Sequence, residues 1–223
     1  MDIKLLIETI ISLPKTIYFN FRYLPLKQAV KLPAFIGYKT RITNVRRGAI
    51  QFDCPIRPFI FKIGIKGSKG VVSNPYSVFS AQGKVVFKGK ASFASGTSLR
   101  VDGKATFGKN FSTNKNCFLS CTENVVFGDN VLLGWNVSVR DSDGHPVFCE
   151  GIQQRDRAEI HIGDHVWLAS EVHILKGVTI GNDCVIGYRS TVTKSFLQGH
   201  LLIGGYPAKV LKENVDWKLE FDK

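Results

Sequence analysis

The chain has 223 residues, 44% of them hydrophobic, with a mean hydropathy of +0.01. That suits one globular domain, or one domain with extensions. No apolar run approaches the roughly 18 residues of a membrane-spanning helix, and no small-residue cleavage site of a secretory signal is expected. Net charge is +12 and unevenly placed: residues 1–66 hold 12 Lys/Arg against 3 Asp/Glu, or +9, and the remainder 18 against 15, or +3. A basic segment of this kind meets nucleic acid, an anionic membrane face or an acidic substrate, or is simply solvated. No nucleic-acid-binding motif accompanies it, so no nucleic-acid partner is expected. The five cysteines (Cys54, Cys117, Cys121, Cys149, Cys184) are an odd number. Cys117 and Cys184 fall at small-residue places of the repeat described below, which predicts reduced, packed thiols and a reducing, cytoplasmic compartment. Cys117 and Cys121 are spaced C-x3-C without a second pair, a weak zinc signal.

In chain order, Ile3, Leu6, Ile7, Ile10 and Leu13 have helical spacing, and Pro14 is expected to end that helix after residues 1–13. Residues 15–39 then mix aromatics (Tyr18, Phe19, Phe21, Tyr23, Phe35, Tyr38) with bases (Lys15, Arg22, Lys27, Lys31). Two readings stand: a surface helix giving peripheral contact with an anionic bilayer, such as the inner membrane, or a cap over the first turn of a solenoid. The cap is preferred, because solenoids need covered ends.

The pattern becomes strand-like from about Ile50. Phe87, Phe107 and Phe127 are 20 residues apart, each followed by Gly and a polar turn within three positions. Phe93, Leu99, Leu119, Leu133 and Val139 take further inward places, and Thr113 is a polar exception. Beyond residue 162 the period becomes six. Ile162, Leu168, Ile174, Ile180, Ile186 and Val192 repeat in phase, and the fifth places are Val166, Val172, Val178, Cys184 and Ser190. A helix needs a period of 3.6 and a lone amphipathic strand a period of 2, so neither fits. A period of six fits a parallel β-helix of short strands and tight corners. Gly163 and Gly181 stand 18 residues apart, so three hexads make one triangular coil. The earlier 20-residue coils then carry a two-residue bulge at one corner. The phase breaks once: 35 residues separate Phe127 from Ile162, and residues 141–159 read as a loop thrown out of the coil. Long loops on a rigid frame tend to carry function. The predicted organisation is an N-terminal extension or cap over 1–60, a coil over 61–204 with its loop at 141–159, and a turn with a tail or short polar helix over 205–223.

The hexads, the broken coil with Gly144-His145-Pro146, the restart Ile160-His161-Ile162-Gly163-Asp164-His165-Val166-Trp167 and the closing Gly205-Tyr206-Pro207-Ala208-Lys209 together resemble the left-handed β-helix acyltransferases. The likeness is to sugar O-acetyltransferases of the galactoside and maltose type and to capsule and colanic acid acetyltransferases. It covers about residues 100–212 and leaves 1–60 outside. It implies an all-β, left-handed parallel β-helix, acetyl-CoA as co-substrate, a sugar or polysaccharide hydroxyl as acceptor, and a homotrimer with active sites between subunits. Two alternatives stay open: N-acetylation of a nucleotide-linked amino sugar, and a non-catalytic β-helix scaffold.

Within that resemblance His145 matches the family's catalytic histidine. An imidazole titrates near neutrality and can serve as the base that a hydroxyl nucleophile needs. Asp141 and Asp143 are nearby, and Asp143 is chosen as the group that orients the ring, its even spacing placing both on one side of an extended segment. The resemblance puts the oxyanion on the main chain at Ser170. It puts coenzyme A near Tyr188, Thr193 and Lys194, with its phosphates on Lys209 and Lys212. Asn114 and Asn116 match positions near the acceptor, and Trp167 joins them as an acceptor contact. Amides suit hydroxyl recognition, although asparagines at coil corners also serve as turn residues. His161, His165 and His173 occupy outward places on at least two sides of the coil, so no metal site is expected.

Overall fold

The computed structural model describes residues 3–68 and 74–219. Parallel strands build three long sheets, the three faces of a prism. The first face has nine strands, beginning with Ala34–Ile36 and ending with the antiparallel Ala208–Lys212. The second has seven, from Thr40–Val45 to Thr191–Val192, and the third has six, from Ile50–Phe52 to Thr179–Ile180. The chain visits the faces in rotation, making six complete coils, one for each strand of the third face. A seventh coil is partial and closes through a bridge between Ile180 and Phe196. This is the expected left-handed parallel β-helix. Coiling begins at Ala34, inside the segment read as an extension.

Register explains the two periods. On the third face Phe87 pairs with Phe107, Phe107 with Phe127, Phe127 with Ile162 and Ile162 with Ile180. The phenyl rings stack at 5.5 and 5.4 Å with interplanar angles of 21° and 9°. The two extra residues of each 20-residue coil sit at the corner between the second and third faces. Gly83 and Gly103 mark that corner, and a Cβ on Gly83 would come within 1.8 Å of the Gly103 carbonyl oxygen. Thr113 is buried but satisfied: its hydroxyl oxygen accepts from the Ala94 N–H at 3.2 Å and lies 3.2 Å from the Thr97 hydroxyl. The other two corners use residues at positive φ, among them Asn110, Asn116, Asn130, Asn136, His165, Glu171, Asp183 and Arg189 at 54° to 62°. Asn and Asp tolerate that left-handed backbone better than most side chains, which accounts for their frequency there.

The first helix, α1 (Ile3–Tyr23), runs straight through Pro14 rather than ending there. Tertiary bonds outweigh the local preference. Ser12, Thr16 and Asn20 line its inner face and bond along the strand edge. The Ser12 Oγ accepts from Tyr38 N–H at 3.0 Å, and the Thr16 Oγ1 from Ile36 N–H at 3.0 Å. Asn20 both accepts from Ala34 N–H at 3.1 Å and donates to Ala34 C=O at 2.8 Å. Four helical residues rise about 6 Å and two strand residues about 6.7 Å, so every fourth helix residue meets every second strand residue. The helix covers an edge that would otherwise invite pairing. Phe19 drops from it onto Phe79 at 5.9 Å and plugs the coil. A short α2 (Leu26–Ala29) follows.

At the other end, Leu202–Gly205 and Ala208–Lys212 form an antiparallel hairpin turning at Tyr206-Pro207. Residues 213–219 contain no helix, so the short C-terminal helix expected as one possibility is not present among the described residues. The segment instead returns along the prism, with Val215 N–H bonded to His200 C=O at 2.9 Å.

Candidate active site

The excursion at residues 141–159 is a rooted ribbon rather than a loose loop. Its tip is an antiparallel pair, Phe148–Cys149 with Ile152–Gln153, turned by Glu150 and Gly151 at positive φ. Its base is tied by Asp143 N–H to Asp156 C=O at 2.8 Å, by Ala158 N–H to Asp141 C=O at 2.9 Å and by a bridge between Ser142 and Arg157. Asp141 follows the 20-residue column of Val101 and Cys121 and is fully buried. In the coils below, corner N–H groups donate to carbonyls of the next coil, as Gly83 does to Val101 at 3.1 Å and Gly103 to Cys121 at 3.2 Å. Where the ribbon leaves, that next coil is missing. The Asp141 carboxylate takes its place, accepting from Thr122 N–H at 2.7 Å and Glu123 N–H at 2.8 Å.

His145 stands exposed on the outgoing leg of the ribbon, and its ring has no hydrogen bond to any described residue. The carboxylate expected to orient it is engaged elsewhere. Asp143 pairs with the Lys176 ammonium, which also donates to Arg155 C=O at 2.8 Å. In this structure Asp143, expected beside His145, instead anchors the ribbon through Lys176. Lys176 projects from the corner between the second and third faces and holds both legs at once. Beside it, Arg157 keeps Asp156 below the usual carboxylate range, and Arg155 pairs with Glu123 at 3.3 Å.

The other predicted residues fall into groups. Asn114, Asn116, Ser170 and Tyr188 share the corner between the first and second faces. There the Ser170 Oγ accepts from Trp135 N–H at 3.1 Å, and the Ser170 carbonyl accepts from Arg189 N–H at 3.1 Å. Tyr188 Oη donates to Glu171 at 3.2 Å, and Arg189 pairs with the same carboxylate at 2.8 Å. The Asn114 Oδ1 accepts from the Ser68 hydroxyl at 2.6 Å and the Asn116 Oδ1 from Asn74 N–H at 3.2 Å. Both amides are thus occupied by a neighbouring segment. Thr193 and Lys194 are exposed at the corner that also launches the ribbon, and Lys209 and Lys212 are exposed on the terminal hairpin. Trp167 lies on the first face, partly exposed. The second face separates the Ser170 corner from the ribbon corner within one chain.

The three histidines weighed for a metal do not converge. His161 faces Glu159 at 3.0 Å, His165 faces Asp183 at 2.9 Å, and His173 lies on the second face. Sequence reasoning missed Trp217, which stacks on His165 at 4.6 Å and approaches Trp167 at 6.0 Å. It also missed Lys176. Asp141 had a signal, because it continues the column of positions 101 and 121.

Comparison with known proteins agrees with the coil. The bacterial transferase hexapeptide (six repeats) family matches residues 159–194. The galactoside O-acetyltransferase of Escherichia coli K12 is 36% identical over 126 residues, covering 54% of this chain and 57% of that protein. The polysialic acid O-acetyltransferase of Escherichia coli O1:K1 / APEC is 34% identical over 134 residues, covering 58% of this chain and 41% of that protein. The chain thus spans about half the length of these curated relatives. Among solved structures, the polySia-specific acetyltransferase NeuO superposes with a TM-score of 0.59 at 22% identity, covering 86% of this chain and 80% of that one, a likeness of fold. The chain thus carries bacterial transferase hexapeptide repeats over residues 159–194 and is similar to proteins that include galactoside and polysialic acid O-acetyltransferases.

Proposed function

We propose that the protein is an acetyl-CoA-dependent O-acetyltransferase acting on a hydroxyl of a surface polysaccharide or its sugar precursor. The observation that carries this reading is the placement of His145. It stands on a rooted ribbon with no hydrogen bond to any described residue, in a chain whose relatives include galactoside and polysialic acid O-acetyltransferases. His145 takes the proton of the acceptor hydroxyl as its oxygen bonds to the thioester carbonyl carbon. Main-chain N–H at the Ser170 corner stabilises the oxyanion of the tetrahedral intermediate. When the carbon–sulfur bond breaks, the imidazolium returns its proton to the departing thiolate, leaving an ester and free thiol.

Because the Ser170 corner and the ribbon lie on either side of the second face, the reading includes a homotrimer in which His145 of one copy faces the Ser170 corner of its neighbour. The ribbon supports this. Val147, Phe148 and Ile152 are 49% to 68% exposed, an apolar tip suited to a neighbouring copy. In that arrangement Tyr188, Thr193 and Lys194 flank the pantetheine arm and Lys209 and Lys212 meet the nucleotide phosphates. Asn114, Asn116 and Trp167 border the acceptor.

The test is acetyl transfer from labelled acetyl-CoA to a panel of sugars and oligosaccharides, with the product treated in mild base. A base-labile acetyl group is expected. A base-stable product means amide formation, and absence of both transfer and coenzyme A binding by calorimetry returns the chain to a scaffold.

A further inference from the structure

The first helix is built inside out. In a globular protein the apolar stripe of an amphipathic helix faces the core. Here the inner face is the polar one, with Ser12, Thr16 and Asn20 buried and bonded to the strand edge. Ile3, Ile7, Ile10, Ile17, Tyr18 and Phe21 point outward, each between 45% and 73% exposed. At about 100° per residue these six fall within an arc of roughly 100°, along a helix about 30 Å long. Leu26 and Val30 extend the exposed apolar surface past the helix end at 67% and 61%. Nothing in the prism needs this surface, since the polar face already covers the edge.

Charge selects the occupant. Residues 1–66 carry a net charge of +9, with 12 Lys/Arg against 3 Asp/Glu. Arg22, Lys27, Lys31 and Lys39 are exposed beside or just beyond the apolar stripe. Between the helix and the first face lies an open hollow of about 540 Å³, with Leu5, Phe35 and Phe59 on its walls and Lys62 among its lining. We propose that α1 docks the protein on an anionic lipid surface, its outward stripe lying among the upper acyl segments and the flanking cations on headgroup phosphates. An apolar face supplies insertion and a basic border supplies preference for anionic lipid. No helix among the described residues is long and apolar enough to cross a membrane, so the contact is lateral.

The test is co-sedimentation of the full chain with vesicles of equal parts phosphatidylglycerol and phosphatidylcholine, against vesicles of phosphatidylcholine alone. Binding to the anionic vesicles is expected, weakened by salt and by Lys27→Glu with Lys31→Glu. Ile10→Glu with Ile17→Glu should weaken it at least about tenfold, with unchanged thermal melting and unchanged mass in solution. Both substitutions leave the inner Ser12–Thr16–Asn20 contacts in place, so the fold should survive them. Absence of vesicle binding by the wild-type chain overturns the proposal. So does a change of oligomeric state in the Ile10/Ile17 variant without vesicle binding by wild type, which assigns the stripe to a second copy.

Discussion

The coil and the ribbon are held together by different means. In the coil, every strand between the two ends bonds to strands above and below, and columns such as Phe87, Phe107 and Phe127 bury their side chains completely or nearly so. In the ribbon, two strands of two residues each bond only to one another, and residues 143–155 are all exposed. The ribbon is fixed at its root, by Asp141 from within the prism and by Lys176 from the adjoining corner. A frame with redundant contacts can carry one poorly buried excursion at a defined place, which suits positioned chemistry. Activity and stability should therefore separate by region.

The largest expected effect is on activity. His145→Ala should lower turnover on the true acceptor by about 10²–10⁴-fold while the melting temperature and coenzyme A affinity stay close to wild type. Turnover and turnover over KM should fall together, the pattern of an interaction made only in the transition state. Full activity in the variant means that another base is at work.

Phe107→Ala tests the opposite region. Its ring touches four others: Phe87, Phe93, Phe111 and Phe127, at centroid distances of 5.5, 5.2, 4.7 and 5.4 Å. Removing it should cost about 3–5 kcal/mol in denaturant unfolding, because stacked coils cannot collapse into the cavity. At temperatures where the variant is folded, transfer should remain near normal.

Asp141→Ala sits at the junction. It leaves two part-buried corner N–H groups without acceptors and should destabilise by about 2–4 kcal/mol. Unlike Phe107→Ala it should also lower turnover, since the root of the ribbon loosens. Equal melting of variant and wild type would show that other groups satisfy Thr122 and Glu123.

The periodic parts of the fold were legible because each coil repeats one physical requirement: an inward aliphatic or phenyl and a small residue near a corner. The hexads from Ile162 to Val192 and the 20-residue phenylalanine column needed no tertiary information. The path through Pro14 was not legible, because Ser12, Thr16 and Asn20 are held by a strand 14 to 26 residues away. The same holds for Asp143, whose partner Lys176 lies 33 residues on. Proximity in sequence favoured His145, while the fold brings a lysine. Histidine spacing likewise gave no hint that His165 would lie under Trp217, 52 residues away.

The cysteines mark the two regions by their burial. Burial pushes the Cys117 and Cys121 thiols up to about 12, against a usual value of 9.0, whereas Cys149 is exposed on the ribbon. Above about pH 9 the unfolded chain loses these protons and the folded chain keeps them, so the folded state binds more protons and stability falls as pH rises. The slope should approach about 1.4 kcal/mol per pH unit for each thiol between the two values. Cys117→Val with Cys121→Val should flatten the alkaline limb of a melting-temperature profile. The substituting residue is the one already present at the equivalent places Val137 and Val101. A thiol reagent at neutral pH should label Cys149 in the native protein and Cys117 and Cys121 only on unfolding.

Lys176→Met should cost little stability, and it bears most directly on how the ribbon is aimed. The Lys176 side chain is 28% exposed and that of Asp143 37%, so solvent screens their pair. Its loss should cost no more than about 1 kcal/mol in unfolding. Its geometry matters more than its energy. One ammonium joins Asp143 on the outgoing leg to the Arg155 carbonyl on the returning leg, two residues from His145 on one side. Without it the root keeps its backbone bonds, yet the leg that carries the imidazole can swing. A misplacement of about 1 Å at a reacting group costs up to roughly 10²-fold, so turnover should fall by about tenfold or more while KM for acetyl-CoA holds. Lys176→Arg, which keeps the charge and can reach both partners, should restore most of it. If Lys176→Met leaves turnover unchanged, the backbone bonds at residues 141–158 aim His145 by themselves and Lys176 is an ordinary corner residue.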